Sequence, residues 1–304
     1  MTSRTPIASA QDRDCQPQAG RGDHEMVRGR IEKLMRGRLV RRVGNGDNYE
    51  RAGVMETGPW VLDQDGRPTG IAAAVILDGA LSSAIRAAVP DWKWPVTTEL
   101  HLNLLRPLPS DGTVLEAWTR SEIIDNAGGL TSGDLRTPDG TVHVQATAWF
   151  HGHGQADDSN LEQSLRSAER PLGPNTELPL AQLLHARDET AARSAIRSAD
   201  LEQALPGLAF DSHDDLVSPL GAIHGGALTM MAGLAAQHTL LDRLDVDLQS
   251  LRVTFLRAGS GTVFTQARTI HSGRTLRVVE VNLYGERGPE KPFAHCEAVF
   301  RPRR

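Results

Sequence analysis

Cysteine, aromatic residues and excess positive charge are all scarce in this 304-residue chain. Only Cys15 and Cys296 occur, so we expect no disulfide framework and a location in the reducing cytoplasm. The polar N-terminus lacks the apolar centre of a secretory signal, and no uncharged apolar run is long enough to cross a bilayer. Aromatic residues make up 4% of the chain and the formal net charge is -5, which argues against nucleic-acid binding.

Several motifs of catalysis and cofactor binding are missing as well. The chain has no Gly-x-Ser-x-Gly elbow, which disfavours an α/β-hydrolase. It has neither a Gly-x-Gly-x-x-Gly motif nor a P-loop, so we predict no nucleotide cofactor. His143, His151 and His153 lie close together in sequence, but neither a cysteine nor a spaced carboxylate completes a metal shell there. We therefore predict neither a cofactor nor a metal.

Short segments recur at a separation of about 150 residues. Gly112-Thr113-Val114 recurs as Gly261-Thr262-Val263, an offset of 149. Residues 99–107 and 250–258 both alternate apolar and polar side chains, with Leu-Arg recurring near the end of each segment. Alternation with a period of two is typical of half-buried antiparallel strands.

A helix rich in small and apolar residues is predicted before each of these strands. The first covers residues 70–90 and the second residues 225–244. Both are apolar on nearly every face of their first turns, which indicates burial on several sides. Each half of the chain is therefore predicted to hold one buried helix followed by about four strands, which makes an α+β fold.

The expected domain organisation follows from this repeat and from composition. We predict an N-terminal domain over residues 26–152 and a C-terminal domain over residues 201–304, each of ordinary domain size. Residues 1–25 are polar and predicted to be a disordered leader. Residues 153–200 are predicted to be a linker with helical stretches. Apolar spacing also predicts a short amphipathic helix over residues 26–42.

The segment GAIHGGALTMMAGLAA (221–236) opens the second helix with His224, Gly225 and Gly226. This segment, with the strands that follow it up to AHCEAVF, resembles hot-dog acyl-CoA thioesterases of the phenylacetate-pathway (PaaI/4HBT) type. The resemblance is close over most of residues 210–300 and looser over 55–150. It implies a double hot-dog fold and hydrolysis of acyl-CoA or acyl-carrier-protein thioesters. A non-catalytic acyl-thioester binder and an enoyl-thioester hydratase or dehydratase are the alternatives.

Thioester hydrolysis requires fixed donors for the oxyanion and a carboxylate that attacks the carbonyl or activates water. Gly225 and Gly226 at a helix N-terminus supply donors, and His224 would orient the thioester or line the pocket. In the resembling family the acid lies nine residues after this histidine, but here that position is Gly233. An offset of 155 aligns Asp78 of the first helix with Gly233. We therefore predict one composite site, with the acid from the first half and the glycines from the second.

A hydroxyl near the start of the following strand accompanies the acid in the resembling enzymes. Thr97 and Thr98 occupy that region in the first half, whereas Leu248 and Gln249 occupy it in the second. The hydroxyl thus lies in the half that holds the carboxylate. Ser218 stands where relatives often carry asparagine, which weakens the case for a second oxyanion donor.

Two further residues are candidates for substrate contact. Met230 would line part of the acyl pocket, although a methionine at a helical position is more often core filler. Arg274 is the best candidate for a coenzyme A phosphate, because arginine matches phosphate geometry. Arg106 and Arg257 are weaker candidates, since both repeats carry them. Exposed sheet edges favour a homodimer of chains.

Overall fold

The computed structural model describes most of the chain, with gaps. The described residues are 29–40, 49–88, 95–125, 127–152, 176–188, 207–218, 220–240 and 245–303, together with 166, 169, 171 and 172. The helices are α1 (Arg30–Leu34), α2 (Ala74–Ala88), α3 (Leu180–Leu183) and α4 (Gly225–His238). The strands are β1 (Gly37–Leu39), β2 (Glu50–Glu56), β3 (Pro95–Leu104), β4 (Val114–Ile124), β5 (Gly128–Arg136), β6 (Val142–Gly152), β7 (Ala186–Asp188), β8 (Leu208–Phe210), β9 (Val246–Phe255), β10 (Val263–Ser272), β11 (Arg277–Tyr284) and β12 (Ala294–Pro302).

All twelve strands form one antiparallel sheet. Their order is β1-β2-β4-β5-β6-β3-β9-β12-β11-β10-β8-β7, so the strands of each half follow the same succession from the outer edge to the centre. Each half consists of a short helix, two strands, a long buried helix and four strands. The predicted α+β architecture, in which two central helices are each wrapped by an antiparallel sheet, is confirmed.

The two halves join where β3 pairs with β9. Leu100 pairs with Val253, and His101 pairs with Arg252. The repeat offset of 151 makes His101 and Arg252 equivalent positions, so an approximate two-fold axis passes between them. Because the central strands of both halves form this ladder, the two central helices are brought to one side of a continuous sheet.

The central helices α2 and α4 pack against each other over this sheet. Every residue of α4 from Gly226 to Ala236 is buried, as its nearly all-apolar sequence predicts. A Cβ atom at Gly226 would lie 2.6 Å from the Cα atom of Val75 and 2.8 Å from the carbonyl oxygen of Ala74. Only glycine therefore allows the start of α4 to approach α2 so closely.

The sequence-based helix over residues 26–42 is wrong in extent. The described helix covers Arg30–Leu34 and ends where Arg36 adopts φ 52°, after which the chain enters β1. The same arrangement follows α3, where His185 has φ 51° and β7 begins one residue later. Residues 186–188, within the predicted linker 153–200, are thus part of the sheet.

Several predictions fall on parts of the chain that are not described. The leader 1–25 and the helical stretch predicted for residues 189–205 lie outside the described residues. Within the described part of the chain, no helix is both long enough and apolar enough to span a membrane.

Candidate active site

The carboxylate of Asp78 lies at the junction of the two halves. Asp78 is on α2 and only 5% exposed. Its Oδ1 atom accepts a hydrogen bond from the Thr97 hydroxyl of β3 at 2.7 Å. Its Oδ2 atom accepts one from the backbone N–H of Gly226 in the second half at 3.0 Å. The predicted approach of acid and glycine turn across the interface is therefore what the structure contains.

The start of α4 supplies backbone donors beside this carboxylate. His224 is the N-cap, and its Nδ1 atom accepts the Gly226 N–H at 3.0 Å. Gly225 is the first helical residue, and the N–H groups of a first helical turn have no carbonyl partner within the helix. A Cβ atom at Gly225 would lie 2.8 Å from Asp78 Oδ2, so glycine keeps this donor and the carboxylate accessible to one substrate.

Glu32 is a member of this site that the sequence analysis missed. It lies on α1, is 5% exposed, and its Oε1 atom is 3.5 Å from His224 Nε2. Its Oε2 atom is buried without a hydrogen-bond partner. An ion pair between Arg30 and Asp215 holds α1 against the second half. Asp215 thus helps to bring Glu32 to the histidine.

His224 lies between two carboxylates. Its Nδ1 atom is 3.5 Å from Asp78 Oδ2, and its Nε2 atom faces Glu32. Burial alone would lower the pKa of His224, but the hydrogen bond and charge of Glu32, followed by the charge of Asp78, raise it to about 9. In the neutral ring Nδ1 accepts the Gly226 N–H and the proton is on Nε2, whereas the charged ring presents an Nδ1 proton to Asp78.

Three of the predicted site residues are not brought to this cluster. Thr98 is the extra residue of a β-bulge, and its hydroxyl donates to the carbonyl of Trp149 at 3.1 Å. Met230 is fully buried in the core, in agreement with the core-filler alternative. Arg274 is exposed in the turn between β10 and β11, and its role in phosphate binding stays a prediction. The hydroxyl of Ser218 accepts the N–H of Leu220 at 3.3 Å.

We call the cluster of Glu32, Asp78, Thr97, His224 and Gly225 the first cleft. The repeat places a counterpart, the second cleft, on the other side of the two-fold axis, where each polar side chain is replaced and the glycine is kept as Gly70. Gly233 corresponds to Asp78, Leu248 to Thr97, Thr69 to His224 and Ala181 to Glu32. The last correspondence follows from aligning Arg36 with His185, the two residues with positive φ that follow α1 and α3.

Ile71 fills the space where the second acid would lie. A Cβ atom at Gly233 would be within 2.8–3.0 Å of three carbon atoms of Ile71, which is itself fully buried. Ile71 occupies the position equivalent to Gly226. The polar groups of the site are thus concentrated in the first cleft. Among the described residues, no cluster of side chains has the composition of a metal site.

Known proteins share this architecture. The family model of the acyl-CoA thioesterase N-terminal domain matches residues 214–301, in the second half of the chain. No functionally curated protein matches the chain in sequence. The chain is similar to the acyl-CoA thioesterase II TesB2 of Mycobacterium marinum, with a TM-score of 0.56, 14% identity, and coverage of 90% of this chain and 96% of that one.

Two further solved structures are similar. One is the 12:0-ACP thioesterase from Umbellularia californica, with a TM-score of 0.52, 10% identity, and coverage of 82% of this chain and 94% of that one. The other is a protein with the hot-dog fold from Alicyclobacillus acidocaldarius, with a TM-score of 0.52, 12% identity, and coverage of 86% and 96%. Fold and site together define a double hot-dog protein with one polar cleft between its halves.

Proposed function

We propose that this protein hydrolyses acyl-CoA or acyl-carrier-protein thioesters at the first cleft. The observation that carries the proposal is the hydrogen bond from Gly226 N–H to Asp78 Oδ2, which joins a helix N-terminus of one half to a buried carboxylate of the other. Thr97 completes the arrangement from β3. The proposal is tested by measuring release of free thiol from a panel of acyl-CoA and acyl-carrier-protein thioesters.

The N-terminus of α4 supplies the electrostatic part of the reaction. The thioester carbonyl oxygen takes a hydrogen bond from Gly225 N–H as it becomes an oxyanion, and the positive end of the helix dipole lies at the same point. Because Gly225 has no side chain, the carbonyl carbon reaches this donor while it stays close to Asp78. The donor and the carboxylate then act on the same carbonyl group.

Asp78 supplies the reactive oxygen, and two routes satisfy its geometry. In the first, the carboxylate attacks the carbonyl carbon, the thiolate leaves, and water hydrolyses the acyl-aspartyl anhydride. In the second, the carboxylate removes a proton from water, which attacks directly. The Thr97 hydroxyl and Gly226 N–H hold the carboxylate in place for either route. A single turnover in H₂¹⁸O places ¹⁸O in the aspartate only if Asp78 is the nucleophile.

Glu32 and His224 are assigned a positioning role in this reaction. With its pKa raised to about 9, the ring is charged at neutral pH, so it faces Glu32 with Nε2–H and Asp78 with Nδ1–H and holds the start of α4 between the two carboxylates. Glu32 belongs to the first cleft only, since Ala181 takes its place in the second. A buried carboxylate with an oxygen that lacks a partner costs stability, which favours a role in function over one in folding.

The geometry also separates hydrolysis from the alternatives. A histidine–carboxylate pair of the kind a hydratase needs was not expected, but His224 and Asp78 form one across the halves. Both ring nitrogens of His224 face carboxylates, Nδ1 toward Asp78 and Nε2 toward Glu32, so neither is directed at a substrate carbon. A degenerate, non-catalytic binder is disfavoured because acid, hydroxyl and helix N-terminus all meet in one cleft.

The expected setting is the cytoplasm, with a thioester substrate as the principal partner. The reducing cytoplasm is consistent with Cys296, whose thiol is free and buried. We also propose that the two halves arose as a tandem repeat and that the chain forms a homodimer. Exposed apolar side chains on the strands, such as Trp149 of β6 and Ile270 of β10, support such pairing. Sedimentation at several protein concentrations tests the dimer.

A further inference from the structure

The second cleft has lost its reactive groups but keeps a cavity. This cavity has a volume of about 360 Å³ and lies beside Thr69 and Gly70, at the start of the first central helix. Gly70 and Thr69 correspond to Gly225 and His224 of the first cleft. The volume falls within the usual range of small-molecule sites. The cavity is therefore the counterpart of the substrate site rather than an unrelated surface groove.

The rim of this cavity carries four arginines. They are Arg67, Arg106, Arg301 and Arg303. The repeat offsets place Ala222 opposite Arg67 and His151 opposite Arg301 in the first cleft. Asp63, Asp65 and Asp247 also line the cavity, with Asp65 3.9 Å from Arg67 and Asp247 2.9 Å from Arg303, so the arginines outnumber the carboxylates by one.

The arginines retain donors for a ligand. Arg303 is paired with Asp247 at 2.9 Å, and Arg106 uses one nitrogen for the carbonyl of Val142 at 2.6 Å. A guanidinium group has five N–H donors, so each of these contacts leaves several available. Arginines of this kind match the geometry of phosphate oxygens.

The interior of the cavity is apolar with one unmatched polar atom. Leu104, Leu240, Leu248 and Phe300 form part of its lining. Gln237 also lines it, and the Oε1 atom of Gln237 is buried without a hydrogen-bond partner. A ligand with a phosphate at one end and an amide N–H further in would satisfy both the rim and this acceptor.

We propose that the second cleft binds a phosphorylated pantetheine compound, either free coenzyme A or its thioester, without cleaving it. The ligand class rests on the proposed function, because it assumes that the second cleft binds the same class of compound as the first. Binding without cleavage follows from Gly233 and Leu248, which replace the acid and the hydroxyl. The protein would then hold two such ligands per chain and hydrolyse one.

Titration calorimetry of the full chain with free coenzyme A tests this proposal. We expect two sites per chain in the wild type. Gly225→Val should abolish the site in the first cleft, because its Cβ atom would lie 2.8 Å from Asp78 Oδ2. The double substitution R106A/R301A should weaken the remaining site by about tenfold or more, as expected for lost arginine–phosphate contacts. Arg268→Ala, on an exposed strand and paired with Glu280, is the matched control.

A second variant covers the case in which the arginine substitutions unfold the chain. Leu240→Trp fills the cavity from its apolar side and should remove the same site. One outcome is that the protein releases thiol but binds coenzyme A at a single site, whose affinity these substitutions do not change. That outcome would refute the second site and leave hydrolysis standing. Two coenzyme A sites without thiol release from any thioester would refute hydrolysis and leave the second site. No coenzyme A binding beyond the first cleft in any variant would overturn the proposal.

Discussion

Replacement of Asp78 by asparagine isolates the charge of the carboxylate from its packing. The asparagine oxygen can accept the Gly226 N–H, and the amide nitrogen can donate to Thr97, whose hydroxyl turns to accept. Both hydrogen bonds, of 2.7 and 3.0 Å, are then kept, and only the one with Thr97 changes direction. The variant loses the nucleophile or base but keeps the shape of the site.

The expected effects on activity and on stability differ greatly. Loss of a general base lowers turnover on the order of 10²- to 10⁴-fold, and loss of a nucleophile lowers it at least as much. Two hydrogen bonds to a charged group become neutral ones, at a cost of about 1 kcal/mol each, and removal of a buried charge offsets part of this. We therefore expect the free energy of unfolding to change by only about 1 kcal/mol.

Thiol release and chemical denaturation of the same preparations measure the two effects. Asp134→Asn is the matched control, because Asp134 is also buried, with 7% of its surface exposed against 5% for Asp78, and pairs with Arg136 outside the cleft. The control should keep wild-type turnover. A folded Asp78→Asn protein with more than a tenth of wild-type turnover would show that the composite site is not where hydrolysis occurs.

Five further substitutions examine the first cleft and the residues next to it. Thr97→Val should lower turnover in a thiol-release assay about tenfold, because a hydrogen bond to a charged group is lost, while Thr98→Val should leave turnover unchanged. Equal effects of the two substitutions would contradict the assignment of Thr97, rather than Thr98, to the cleft. Gly226→Ala should destabilise the chain by about 1–3 kcal/mol in urea unfolding, because its Cβ atom would overlap backbone atoms of α2. Glu32→Gln should lower turnover without lowering the melting temperature, and it should shift the pH profile of turnover because the pKa of His224 falls. A parallel loss of melting temperature and turnover would indicate a purely structural role for Glu32. Because the folded pKa of His224 is about 9 and its ordinary value is 6.5, its stabilising contribution is full below pH 6.5 and is lost as the pH rises through 9. This pH-dependent loss of unfolding free energy is at most about 3 kcal/mol, and it should be absent in His224→Asn, which keeps an N-cap acceptor. The same pH dependence of the unfolding free energy in both proteins would refute this role of His224.

The parts of the molecule that repeat in sequence were predictable. The alternation in residues 99–107 and 250–258 gave the correct central strands, and the two apolar runs gave the buried helices. The offset of 155 between the helices aligned Asp78 with Gly233, and this local comparison located the acid. Such patterns are visible because secondary structure and core burial impose periods of 2 and 3.6 residues.

The parts that depend on tertiary contacts were not predictable. Glu32 meets His224 through the packing of α1 on the second half, which the Arg30–Asp215 pair helps to hold, and no periodic pattern links residues so distant in sequence. Thr97 and Thr98 could not be distinguished, since the bulge at Thr98 interrupts the alternation of the strand. The one signal for Glu32 in the sequence is an acidic residue within the apolar spacing of α1.

The ladder between β3 and β9 has a consequence for how the two halves must be joined. If each half were a separate polypeptide, its central strand would also be a suitable partner for an identical copy. Two copies of the first half would bring together two acids with no glycine turn, and two copies of the second half would bring together two turns with no acid. Under the proposed mechanism only the mixed pair is competent, and a peptide connection between the halves makes that pair the product of folding.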